Sequence, residues 1–493
     1  MRTRICFWLL ILLPFVVYGP AVLTDYGFRD DYAYMREARE EPGKLVFFNT
    51  SQGRPLYGAL IETSFGRLDS TSDLEWFRLL TVVELALLAI VLWRHFEFSG
   101  WPQVDAAFAA FAIVMLPAAQ VAAGWAIGWP WVASLLLSVA GFMAVDTELE
   151  KGGLKRTMGV VGGIFIYAMS ALIYQSNVMF AVVPLAATML PRLKLRSRTE
   201  LLRWFCMHLV ILFAALLLSY LLLKVLYSSG DFHESARVQL ERNPFTKLAW
   251  FIWQPVPNAL ALFLLRCDFN TGAVWFWLAA VAVAGFIGWI LWIEPRKETD
   301  NERLKWQLCL GVLPFIGHGV SLIAAERSTG YRTLFALSGL VVVVFFTALR
   351  RLPLGDKLRP YVQYAAMSAV ALGAMYLAWR HTVKYIAEPQ QKEWELVHEA
   401  VMNAHFQEKT RFYLIEPTLD DRSTQLVHRD EFGSLSTNSE WVPKEMFKAA
   451  LHERFPKGLK KGRSWEFAQG LQPPAAGTYD VLIDMRKIRE ARE

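Results

Sequence analysis

The chain has 493 residues, 54% of them apolar and 14% aromatic, with 51 basic against 45 acidic side chains and a formal net charge of +6. A soluble domain of this length carries more charge, so the composition excludes an ordinary water-soluble fold and predicts an α-helical polytopic membrane protein. In such a chain the positive excess is read loop by loop, not as a sign of nucleic acid.

A run of roughly 17 to 25 apolar residues is long enough to cross the hydrocarbon core as a helix, the form that satisfies its own backbone there. Eleven such runs follow one another, at about 5–23, 75–93, 106–122, 127–145, 158–174, 178–190, 205–227, 273–294, 307–325, 333–349 and 362–380. The first, behind MRTR, reads as a retained signal-anchor helix because no convincing small-x-small cleavage site follows it. Cys6, Cys206, Cys267 and Cys309 lie in or beside apolar runs without metal-ligand or paired spacing, and are expected as buried free thiols.

Short basic loops mark the cytoplasmic side. Arg2 and Arg4, EKGGLKR, PRLKLRSRTELLR, PRKETDNERLK and RRLPLGDKLR all fall there if each run crosses once. The stretch 250–266, WFIWQPVPNALALFLLR, would break that pattern as a twelfth span; Gln254, Pro255, Pro257 and Asn258 also suit a lipid-facing helix poorly. It is expected as a re-entrant or interfacial segment on the outer side, where protein or water solvates its backbone. The outer face then receives 24–74, the turn YQSN, the loop 228–272, the turn ERSTGYR and everything after about 381. A transmembrane domain 1–380 is thus followed by a small α/β subdomain, 381–493, with helices at EPQQKEWELVHEAVMNAHF and VPKEMFKAALHERF and short strands at RFYLIEP and YDVLIDMRKI. It has no phosphate loop and no Cys/His cluster, and reads as a docking or lid unit.

Chemistry-bearing residues concentrate on the outer segments. Asp30 and Asp31 are adjacent carboxylates just past the first run, suited to general-base work or to a divalent cation. Neighbours on a helix diverge by about 100°, so only one need face a site, and spacing does not rank them. Arg54, ahead of Pro55 and Tyr57, can clamp a phosphate or anchor at lipid headgroups. Tyr174, Gln175 and Asn177 stand in one short turn, and Arg327, Tyr331 and Arg332 in another. Two arginines in a short outer turn run against the charge bias, which an anionic ligand would explain. Lys224 joins them or snorkels, and Arg266 with Gln254 and Asn258 adds polar groups around the re-entrant stretch. Asp231, His233, Glu234 and Asp268 lack metal-binding spacing, and His208 and His318 read as core histidines.

Taken together, the acidic pair Asp30-Asp31 after the first helix, Arg54-Pro55-Leu56, Tyr174-Gln175 at an outer turn, the late arginines and the outer tail resemble the GT-C superfamily of integral-membrane glycosyltransferases. Within it, the chain is most similar to the O-antigen glucosyl-transferase type. The resemblance implies a bacterial inner-membrane enzyme that receives a polyprenyl-phosphate-linked sugar from the bilayer side. One acid of the first loop would deprotonate the hydroxyl of a glycan acceptor, while arginines stabilise the leaving lipid phosphate. No nucleotide fold is then needed, and family members differ in metal dependence. Two other classes compete: a transporter or flippase of a lipid-linked saccharide, against which the chain shows no internal repeat, and a scaffold whose outer charges are only interface anchors.

Overall fold

A computed structural model describes residues 2–149, 153–191, 197–235, 239–266, 272–293, 300–327, 330–417, 431–475 and 477–488. Cys267, Asp268 and parts of the basic loops lie outside the described residues. The protein is mostly helical, as expected of a polytopic membrane protein, but the eleven apolar runs do not make eleven equal spans. Among the described residues seven helices are long and apolar enough to cross: Thr3–Val22, Thr71–Phe98, Ala126–Leu149, Gly153–Ile173, Arg198–Ser228, Ala273–Ile293 and Arg359–Asn403.

The other four runs show why apolar length alone overcounts. Gln103–Val114 and Pro117–Gly124 are bent against each other by 55°, and make an eighth span only if taken as one. The bend falls just before Pro117, whose ring disfavours helical geometry in the preceding residue. Gln175–Met189 and Phe335–Arg350 are apolar helices shorter than a usual span. The run at 307–325 is broken into a π turn, Leu308–Val312, and the short helices Leu313–Gly317 and Gly319–Ile323. Pro314 lacks the N–H that would continue the regular ladder through that point. The segment expected to be re-entrant forms Pro244–Trp253 and Pro255–Leu260, broken at Gln254; at about 1.5 Å per residue neither could span the bilayer.

Small residues let the helices close together. A Cβ on Gly141 would stand 2.9 Å from the Tyr167 ring and one on Gly163 2.3 Å from Val145, so Ala126–Leu149 and Gly153–Ile173 pack at glycine distance. Among the described thiols, Cys309 is buried, Cys6 half-buried and Cys206 exposed on its helix, so the expectation of buried thiols is corrected for the last two. His208 and His318 are both buried, as expected.

The C-terminal unit has no linker. Arg359–Asn403 is one 45-residue helical rod, about 68 Å long against a hydrocarbon core of about 30 Å, with a π turn at Thr382–Ala387. The boundary expected near 381 falls inside it. Beyond the rod, β1 (Thr410–Ile415), β2 (Trp465–Gly470) and β3 (Val481–Asp484) form a parallel sheet of order β2-β1-β3, with Phe412 level with Phe467 and Val481. The alternation of Phe412 and Leu414 turns one face of β1 into a core with Val397, Val401, Met446 and Phe447. β2 was not expected: WEFAQG carries few apolar residues and owes its place to pairing with β1.

This unit is bolted to the loop after the first span. Tyr32 stacks on Trp394 at 5.7 Å, Arg36 Nε donates to Glu445 at 2.5 Å, and Thr71 N donates to Glu453 at 2.6 Å. The key acid is Glu393, fully buried on the rod, whose carboxylate accepts from Ser436 N at 2.7 Å, from Thr437 N at 2.9 Å and from the Thr437 hydroxyl. Removing it strands two buried backbone donors. Glu393→Ala is therefore expected to destabilise the docked unit by about 3 kcal/mol, read as faster protease cleavage after the rod while the spans stay protected.

Candidate active site

The first span ends where a buried arginine holds it. Arg78, fully enclosed, donates from Nη1 to Tyr26 O at 2.7 Å and from Nη2 to Thr24 O at 2.7 Å, and its guanidinium lies 4.2 Å from the Tyr26 ring centroid. A cation among the last carbonyls of a helix and its exit loop meets the negative end of the dipole. The chain then turns at Arg29, a non-glycine residue at φ 46°, and enters the helix Asp30–Glu40. Backbone strain of this kind persists only where neighbours over-determine it. Here Arg29 N donates to the Ser436 hydroxyl at 2.9 Å and Arg29 Nη2 to Ser434 at 2.5 Å, both from the C-terminal unit.

The two aspartates part company at this point. Asp31 is wholly buried: Oδ2 accepts from Phe28 N at 2.8 Å and Oδ1 from Ile127 N at 3.3 Å, which ties the first loop to the start of the third long span. Burial outweighs those bonds and pushes its carboxyl up to about 7. Asp30 is half-buried and lines a cavity of about 1110 Å³.

That cavity gathers all five segments that the charge pattern groups on one face. The first loop contributes Asp30, Arg54 and Tyr57; the YQSN turn, Tyr174 and Gln175; the 228–272 loop, Glu234 and Leu240; the late turn, Arg327 and Arg332; and the C-terminal unit, Ser439 and Trp441. Lys224 stands on the same wall. Its other flank is apolar, with Leu216 and Leu223 from one long span and Val320 and Ile323 from the broken segment.

Several lining cations already have partners. Lys224 is paired with Glu234; Arg327 donates to Glu241 at 3.1 Å; and Arg332 lies 3.7 Å from Glu431 and over the Trp125 ring. Arg54 differs. Its guanidinium sits 4.4 Å from the Tyr174 ring and 3.4 Å from Gln175 Oε1, with no carboxylate in ion-pair reach among the described residues. Gln175 in turn donates to Gly53 O at 2.5 Å, so the turn and the first loop lock each other. A half-buried guanidinium held by neutral groups keeps its charge uncompensated, which suits it to an anion.

The remaining expected site residues lie outside the cavity and stitch its frame. Asn177 donates to Trp131 O at 2.9 Å and to Ser134 at 2.8 Å. Arg266 donates to Trp253 O and to Gln254 Oε1, both at 2.9 Å, while the Tyr331 hydroxyl donates to Asn258 at 3.2 Å and accepts from Arg266 N at 2.7 Å. These four brace the segment broken at Gln254 against the late turn. Sequence reasoning passed over Arg78, Arg29, Glu393 and Trp441. An arginine inside a largely apolar run was the available signal for Arg78; the others had none.

Both oxygens of Asp31 accept backbone N–H groups, and among the described residues no three His, Cys, Asp or Glu side chains come together. Comparison with protein-family models and with curated proteins returns no match to this chain.

The raised carboxyl of Asp31 has a signed consequence. Its protonated form is favoured in the fold, so the stability it contributes is fully present below its ordinary value of 3.8 and is lost as pH rises through about 7. Thermal melts of the solubilised protein are expected to fall across that window. Asp31→Asn should flatten that fall and, by leaving one backbone donor unmatched, lower stability by about 1 to 3 kcal/mol.

Proposed function

We propose that this multi-pass membrane protein is a glycosyltransferase of the GT-C type, moving a sugar from a polyprenyl-phosphate donor to a glycan acceptor of the cell envelope. On this reading it sits in a bacterial inner membrane with its N-terminus cytoplasmic, and the cavity and C-terminal unit face the periplasm. The observation that carries the reading is one cavity holding a half-buried carboxylate, Asp30, and an acid-free guanidinium, Arg54, beside an apolar flank.

The chemistry follows from those groups. Asp30 takes the proton of an acceptor hydroxyl as that oxygen attacks the anomeric carbon. The bond from that carbon to the phosphate oxygen breaks, and its electron pair leaves with the lipid phosphate. Arg54, with Arg332 of the same lining, offsets the growing charge on that oxygen. The apolar flank suits the first units of the polyprenyl chain, and the neighbouring outward face of Arg198–Ser228, with Leu217 57% and Val225 67% exposed, suits a route from the bilayer. Since the phosphate activates the sugar, catalysis reduces to positioning, proton removal and charge.

Mass spectrometry of envelope glycans from cells with and without the protein reports sugar and acceptor together. Asp30→Asn is expected to insert and melt as the parent does and to cut transfer by about 10²-fold or more. Arg54→Gln is expected to weaken use of the lipid-phosphate donor by about 10- to 100-fold. Undiminished transfer by Asp30→Asn would overturn the assignment, and movement of an intact lipid-linked saccharide without any change in glycan would favour a flippase.

A further inference from the structure

We infer that Trp441, with the Ser439 hydroxyl beside it, forms a stacking platform for the acceptor saccharide, making the C-terminal unit the acceptor-binding half of the site. The inference deepens the glycosyl-transfer reading and rests on it for the word acceptor.

Trp441 lines the cavity and is 45% exposed, high for the largest apolar side chain in a folded unit. Three other rings on the wall are occupied: Trp125 lies against Phe28 at 4.6 Å, Trp131 against Tyr174 at 5.8 Å, and Tyr174 beneath Arg54; Phe48 is also exposed there but offers no indole face. The Trp441 ring makes no hydrogen bond, ring contact or cation contact with any described residue, and the Ser439 hydroxyl has no hydrogen-bond partner among them.

The backbone carrying this bare pair is nonetheless fixed. Glu393 holds Ser436 and Thr437, Val442 N donates to Ser439 O at 2.9 Å, and Gln469 donates to Glu440 O at 2.6 Å. A rigid backbone presenting an unengaged aromatic face loses little entropy on binding.

Position adds the third argument. Arg36 meets Glu445, and further along the charges of Arg39 and Glu40 act on His452, so Asp30–Glu40 and Val442–Arg454 run side by side in the same direction. Both therefore begin at the cavity, one with Asp30 and the other just after Trp441. Arg29, next to Asp30, donates from its N–H to the Ser436 hydroxyl at 2.9 Å, which brings the loop carrying Ser439 and Trp441 to the end of the helix that bears the base. A pyranose offers what such a pair accepts: a face of slightly positive C–H groups for the negative ring face, and hydroxyls for the serine.

The test uses the full chain in lipid nanodiscs and oligosaccharides released by mild acid from the envelope of the source cells, followed by saturation-transfer NMR. The parent should bind them; Trp441→Ala should weaken binding by about tenfold, as one lost stacking partner predicts, and Trp441→Phe should recover most of it. Asp30→Asn should keep the binding while losing transfer. Transfer that survives Asp30→Asn together with binding lost in Trp441→Ala would sink the catalytic assignment and leave the platform standing. No binding by the parent, or equal binding by Trp441→Ala, overturns the platform; a tryptophan acting only as a headgroup anchor gives that second result.

Discussion

The buried carboxylate of Asp31, accepting N–H groups from Phe28 and Ile127, is the constraint on which the rest of the arrangement depends. It joins two pieces of chain nearly a hundred residues apart and so sets where the first loop sits over the bundle. Arg78 reinforces it from below by holding the carbonyls of Thr24 and Tyr26. Because adjacent side chains on a helix diverge by about 100°, anchoring Asp31 inward turns Asp30 toward the cavity. Two neighbouring acids thus differ in place, one inside the frame and one on the cavity wall.

The C-terminal unit belongs to the same construction. A helical rod delivers it without a flexible joint, and Glu393 on that rod shapes the loop whose serines hold Arg29 at its positive φ. The strained residue immediately precedes Asp30, so a unit far along the chain helps to aim a side chain of the first loop. Strain at such a point is tolerable because contacts from two directions leave the backbone no better alternative.

Charge in the cavity is graded. Lys224 and Arg327 are neutralised by acids of the 228–272 loop, and Arg332 is shared with the buried Glu431, whereas Arg54 rests on an aromatic ring and an amide. Among these four, Arg54 on the first loop is therefore the least compensated cation and the one with the strongest attraction for an anion. The apolar flank lowers the local dielectric, which strengthens that attraction over the same pair in water.

Much of this was legible in the sequence. Apolar run length located the long helices, the periodicity of EPQQKEWELVHEAVMN and VPKEMFKAALHER located the two helices of the C-terminal unit, and the charge bias grouped the segments that now share a cavity. Those are local properties, fixed by hydrophobicity and spacing. The number of full spans was not local, because prolines and tertiary contacts break or bend apolar runs that composition cannot distinguish. Nor was the difference between Asp30 and Asp31, or between a bare Arg54 and a paired Arg327, since each turns on which distant backbone or carboxylate lies within about 3 Å. Sequence by itself determined a helical membrane protein with its polar chemistry gathered on one side. Only the tertiary structure decided which of those polar groups are bound up in holding the frame and which remain for a ligand, because hydrogen-bond partners are set by packing rather than by order along the chain.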